Sequence, residues 1–146
     1  MPDWKLWREM SRGSMRSAEM IARSTEEKFI RSAISRYYYA SYQAVTAMLL
    51  QSGTNTTPEG REAWSHKETP KLVRKYLRTL IGNRRNLNTV VSNLSYLYKQ
   101  RIFADYDGRS LSVETLVEVA KEAAFIIKIA EGSLPQLEQK QKVRKK

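Results

Sequence analysis

Apolar side chains recur at spacings of three and four along most of the chain, the period of an α-helix. The first predicted helix runs from about Asp3 to Arg23, with Trp4, Trp7, Met15, Ala18 and Ala22 as its apolar side and Gly13 as a weak point. The second starts near Ser24, with Glu27 completing a capping box, and runs to about Gln51. Its residues Phe29, Ile30, Ala33, Ile34, Tyr37, Tyr38, Ala40, Ala44, Val45, Ala47, Met48 and Leu49 are apolar nearly all round, which predicts a buried central helix. One polar strip remains on it: Ser32, Ser35, Arg36, Tyr39 and Gln43.

Gly53 ends that helix, and Ser52 to Glu62 reads as a surface loop. A third helix is predicted from about Thr69 to Ile81, with Pro70 in a tolerated first-turn position. Leu72, Val73, Tyr76, Leu77 and Leu80 are expected to face inward, and Lys71, Arg74, Lys75 and Arg78 outward. A fourth helix covers about Leu87 to Ala104. Its stripe of Leu87, Val91, Leu94, Leu97 and Tyr98 runs on into Arg101 and Asp105. The fifth begins at a Ser112 cap, ends near Glu131, and is closed by Gly132 and Pro135. The pattern predicts an all-α antiparallel bundle of about five helices over residues 1–134, followed by a basic tail over 135–146 too polar to fold alone.

Composition narrows the chemistry. At 146 residues the chain is long enough for one domain with its own core. It has no cysteine, no run of eighteen apolar residues and no signal-like leader, so a soluble, cytoplasmic protein is expected. The net charge is +11, of which the tail carries +4, and this favours a polyanionic partner. The single histidine, His66, leaves no multi-histidine metal site, and no phosphate-binding glycine loop or nucleophile elbow is present. No metal or cofactor is expected, so any catalysis must draw on Arg, Tyr, Asp, Lys or His66.

Arg101, Asp105 and Tyr106 are the first candidates. Arg101 and Asp105 stand four residues apart and share a helix face. They can form a salt bridge that closes the bundle end, or Arg101 can present its planar fork to a phosphate. Arg36 lies beside Tyr39 on the polar strip and can face the same cleft. His66, just before the third helix, is a structural residue, a phosphate contact or a proton donor. Glu68 is the only acid between Lys67 and Arg101, so Lys71, Arg74, Lys75 and Arg78, with Arg84 and Arg85, read as a solvated face or a polyanion track. Of the tyrosines at 37, 38, 39 and 42, Tyr39 is the one off the core.

FIRSAISRYYYASYQAVTAMLL, SHKETPKLVRKYL, LYKQRIFADYD and VEVAKEAAFIIKIA, in this order and spacing, resemble the HEPN superfamily, helical domains named for higher eukaryotes and prokaryotes nucleotide-binding. The resemblance covers about Trp7 to Ala130 and lies with the short bacterial and archaeal members. It implies a helical bundle that forms a homodimer. Many relatives are metal-independent ribonucleases, and several are toxins restrained by a nucleotidyltransferase antitoxin. Their site is an Arg, usually followed by a polar residue, with a His a few residues later. Arg101 falls on the Arg position, but Ile102 follows it and Tyr106 occupies the His position. A tyrosine, with an ordinary pKa of about 10, is a poor general base at neutral pH. The expected function is RNA or nucleotide binding, with RNA cleavage as its catalytic form. Arg101 and Arg36 would bind phosphate, Tyr106 would orient it, Asp105 would hold Arg101, and His66 would be an outside candidate for proton transfer. The alternative is a non-catalytic module that binds a nucleotidyltransferase or a nucleotide.

Overall fold

The segment that reads as apolar nearly all round forms the axis on which four other helices pack. In the computed structural model, which describes residues 3–24, 26–53, 65–107 and 111–135, six α-helices and no strand are found among the described residues. They are α1 (Trp4–Ile21), α2 (Glu27–Gln51), α3 (Thr69–Tyr76), α4 (Arg78–Ile81), α5 (Arg84–Tyr106) and α6 (Val113–Ser133). Ile34, Tyr38, Val45, Met48 and Leu49 of α2 are shut off from solvent, and α1, α3, α5 and α6 all pack against this helix. No helix among the described residues is long and apolar enough to cross a membrane. The loop beyond Gly53, the turn at 108–110 and the tail from 136 lie outside the described residues.

The first helix packs its expected apolar side on the core and buries a polar line beside it. Its buried line is Arg8, Ser11, Ser14 and Ala18, while Trp4, Trp7 and Met15 are only partly covered. Small serines let α1 lie close to α2 and find partners there. The Ser11 hydroxyl donates to the Ala40 carbonyl at 2.7 Å, and Ser14 pairs with the Gln43 side chain at 2.7 Å. Satisfied hydroxyls can be buried at little cost, so hydrophobicity alone misses these two positions. Two arginines then tie α1 to the end of α6 in antiparallel register. Arg12 makes a two-pronged pair with Glu131, both bonds 2.8 Å, and Arg8 donates to the Pro135 carbonyl at 2.9 Å.

The expected third helix is two helices, which accounts for six rather than five. Leu77 leaves helical geometry (φ −102°, ψ 9°) and separates α3 from α4. The break keeps Leu77 itself fully buried, while Tyr76, expected to face inward, is 41% exposed. The N-cap of α2 is Glu26 and not Ser24, whose hydroxyl accepts from the Glu26 amide. Two other caps form through side chains. Asn83 accepts from the Asn86 amide at 3.0 Å and starts α5 earlier than its apolar pattern does. Ser112 accepts from the Thr115 amide at 3.1 Å. Gly132 lies inside α6, which closes two residues later than expected.

α2 and α5 run antiparallel, Arg31 opposite Ala104 and Tyr38 opposite Tyr98. Arg31 donates to the carbonyls of Ala104 (2.8 Å) and Asp107 (2.7 Å), so a cation satisfies the acceptor-rich end of α5. Removing the fully buried Leu97 side chain tests the shared core. Leu97→Ala should lower unfolding free energy by about 2–5 kcal/mol, read as a shift in urea midpoint, while Leu6→Ala, at a 58% exposed position, should stay within ~0.5 kcal/mol.

Candidate functional site

Successive residues of a helix point about 100° apart, so Tyr37, Tyr38 and Tyr39 face three directions. Tyr38 takes the innermost one and is 0% exposed. A phenol hydroxyl in that position needs a hydrogen-bond partner. It finds His66 Nδ1, on the turn that precedes α3. That turn is itself held: the Ser65 carbonyl accepts from the amide and hydroxyl of Thr69, the hydroxyl at 2.7 Å. The imidazole lies 4.3 Å from the Tyr42 ring, 5.3 Å from Tyr38 and 5.9 Å from both Tyr39 and Tyr98, centre to centre. Four tyrosines from α2 and α5 therefore surround the one histidine of the chain.

Arg101 stands one turn beyond Tyr98 on α5, with its side chain 15% exposed. Its Nε donates to Asp105 Oδ2 at 3.0 Å, the pair that four-residue spacing allows. Its guanidinium carbon lies 5.3 Å from the centre of the Tyr39 ring. The same ring also meets His66, edge to face. Arg101 and His66, which are 35 positions apart in sequence, thus flank Tyr39 together.

This enclosure controls protonation. Burial lowers the His66 pKa below its ordinary value, and the charge of Arg101 lowers it further. Burial pushes the Tyr38 phenol far above its ordinary value and that of Tyr42 up to about 12. At neutral pH the site therefore holds protonated phenols and a neutral imidazole. The Tyr38 hydroxyl can donate to Nδ1 or accept from it, so the bond survives in both neutral tautomers. In one tautomer Nε2 is a donor; in the other it carries an open lone pair. A neutral imidazole beside a guanidinium can take up a proton and hold an anion within one small region.

The other sequence candidates are placed differently. Tyr106 is 75% exposed and makes no ring contact or hydrogen bond with Arg101 or His66 among the described residues. Arg36 is exposed, one turn before Tyr39, and has no hydrogen bond or ion pair among the described residues. Lys71, Arg74, Lys75 and Arg78 are all exposed on α3 and α4. Tyr38, Tyr42 and Tyr98, read from sequence as core, are what hold His66. A partial signal existed for Tyr38: a buried phenol on a central helix needs a hydrogen-bond partner, but the sequence does not single out His66 among the polar side chains able to serve. No group of three or more potential metal ligands is found among the described residues. No protein-family model matches the chain, and comparison with curated proteins gives no match.

The His66–Tyr38 pair has a stability signature. With the folded pKa depressed, the unfolded chain binds the histidine proton first, so the contribution of His66 is full above pH ~6.5 and is lost as pH falls through 6.5 toward the lower folded value. Urea midpoints measured from about pH 8 to pH 5 should fall more for the wild type than for His66→Gln. Tyr38→Phe leaves the imidazole without its partner and should cost about 1–3 kcal/mol at neutral pH.

Proposed function

We propose that this chain is a HEPN-like RNA-binding bundle whose Arg101 and His66 form a metal-independent RNA-cleaving centre. The observation that carries the reading is the meeting of the only histidine with Arg101 around one tyrosine ring. The resemblance implies an Arg–His pair close in sequence, and Tyr106 stands in the histidine position here. In this reading His66 supplies from another segment the proton chemistry that Tyr106 lacks.

The chemistry is phosphodiester transesterification. His66 Nε2 takes the proton of a ribose 2′-hydroxyl as its oxygen bonds to the adjacent phosphorus. The bond from phosphorus to the 5′-oxygen breaks, and that oxygen receives a proton back from the imidazolium, directly or through water. The products are a 2′,3′-cyclic phosphate and a 5′-hydroxyl. Arg101 holds the non-bridging oxygens as their charge grows, Asp105 orients its fork, and Tyr38 fixes the imidazole. On the same resemblance, the partners are a second copy of the chain and a nucleotidyltransferase antitoxin.

The test is cleavage of single-stranded RNA in the presence of a chelator. The wild type should cleave, and Arg101→Ala and His66→Ala should each lose about 10²-fold or more. Of the two possible proton carriers, His66→Ala should give a larger loss than Tyr106→Phe. kcat/KM should rise with pH through a value below 6.5 and level off by neutrality, because His66 acts in its neutral form. A wild type that binds RNA without cleaving it would leave the non-catalytic module, with Arg101 and Asp105 as an interface lock.

A further inference from the structure

The basic residues of α3, α4 and the start of α5 form a surface apart from the Arg101–His66 centre. Lys71, Arg74, Lys75, Arg78, Arg84 and Arg85 are all exposed, and none has a carboxylate within ion-pair distance among the described residues. Neutral groups order two of them instead. Arg74 Nη1 donates to Asn88 Oδ1 at 3.2 Å, and Arg78 Nε donates to the Arg74 carbonyl at 3.3 Å. Their charge is held in place without being cancelled.

The surface is indented along its length. A cavity of about 380 Å³ is lined by Arg74, Arg78, Arg84 and Asn88. A neighbouring one of about 470 Å³ shares Arg74 and Arg78 and extends to Lys71, and another of about 470 Å³ shares Arg84 and Asn88 and extends to Arg85. The third is lined by α5 residues alone, and the first two follow the groove where α3 and α4 lie on α5. Its far end is the Asn83 cap of α5, and its near end leads to the turn carrying His66, three residues before α3 begins. At 1.5 Å per residue, Arg84 and Arg101 are about 25 Å apart along α5.

We infer that this groove is a second phosphate-binding surface, which holds single-stranded RNA leading to the Arg101–His66 centre. The chemistry selects that partner. Unpaired guanidinium forks repeating about once per helical turn fit a chain of phosphates better than one small anion. Helix axes in contact stand about 8–10 Å apart, so the groove between them seats a strand and not a duplex. A protein or lipid partner would call for an apolar centre, and the exposed large apolar side chain on α3 and α4 is Tyr76 alone, beneath Lys75. The direction of the strand rests on the function proposed for Arg101 and His66; binding in the groove does not.

The experiment uses the full chain and a labelled oligouridylate of about 12 nucleotides, with affinity measured across a salt series. The variant Arg74→Gln/Arg78→Gln/Arg84→Gln should bind at least ~10-fold more weakly at low salt, and its slope of log K against log salt should be shallower by about 2. Lys71→Gln/Lys75→Gln should lower the slope by about 1. Arg101→Ala should lower it by no more than ~1. Melting curves of each variant confirm the fold. Equal slopes for the triple variant and wild type would overturn the inference, as would tighter binding of duplex RNA or equal competition by polyglutamate. If the groove variants lose binding while no protein cleaves RNA, the groove stands and the catalytic reading falls. If cleavage depends on Arg101 and His66 but binding ignores the groove, the reverse holds.

Discussion

A phenol buried to 0% exposure on a helix packed on all sides must be answered by another segment, and the bond from Tyr38 to His66 is that answer. It joins parts of the chain 28 residues apart. With His66 fixed against α2, the turn at residues 65–68 is fixed, and with it the start of α3. That placement decides where the cationic face of α3 falls. The α5 side of the site has its own constraint in Arg31, which reaches from α2 to the last carbonyls of α5 and so sets the end from which Arg101 projects. Both constraints originate on α2. The central helix is thus the core of the bundle and also the reference frame for the polar groups around it.

What was legible in the sequence follows the range of the interaction. α2, α5 and α6 show in the apolar period because they are buried mainly through large side chains. The Arg101–Asp105 pair shows because both residues lie on one helix turn. α1 shows as a helix with its apolar face on the core, but the buried Ser11 and Ser14 do not show, since they go inside through hydrogen bonds that composition does not reveal. The break at Leu77 has no proline or glycine to announce it; it comes from tertiary packing that keeps Leu77 covered. The position of His66 was least legible, because no period or local spacing connects it to Tyr38, Tyr42 or Tyr98. The tyrosine run could be assigned to the core, but its role as a cage is a property of the assembled bundle.

Charge is distributed as unevenly as the apolar surface. The α3–α4 edge carries unpaired cations, whereas Glu114, Glu118 and Glu122 line one groove on α6 with Asn93 of α5. Burial, and after it the charge of Glu118, raise the pKa of Glu122. A chain of net charge +11 with unpaired cations along its α3–α4 edge presents a positive surface to a polyanion. In the field of a polyanion it turns its basic edge toward the partner before contact, which raises the rate of productive encounter.

Inside the tyrosine cage the same electrostatics become local and directional. His66 is neutral because burial and Arg101 both oppose its charge. An anion seated on Arg101 would cancel the second opposition and add an attraction, leaving burial alone to resist protonation. Anion binding and proton uptake by His66 are therefore coupled, and by linkage each favours the other. A base that starts neutral and becomes easier to protonate when a phosphate arrives is suited to taking a proton next to that phosphate. Tyr38 keeps the ring oriented through the change, since its hydroxyl can accept from Nδ1 once the ring is charged. Asp105 already balances part of the Arg101 charge, so the anion competes with an internal carboxylate for the guanidinium. In the proposed reaction, a phosphodiester would displace that carboxylate only as its own charge grows in the transition state.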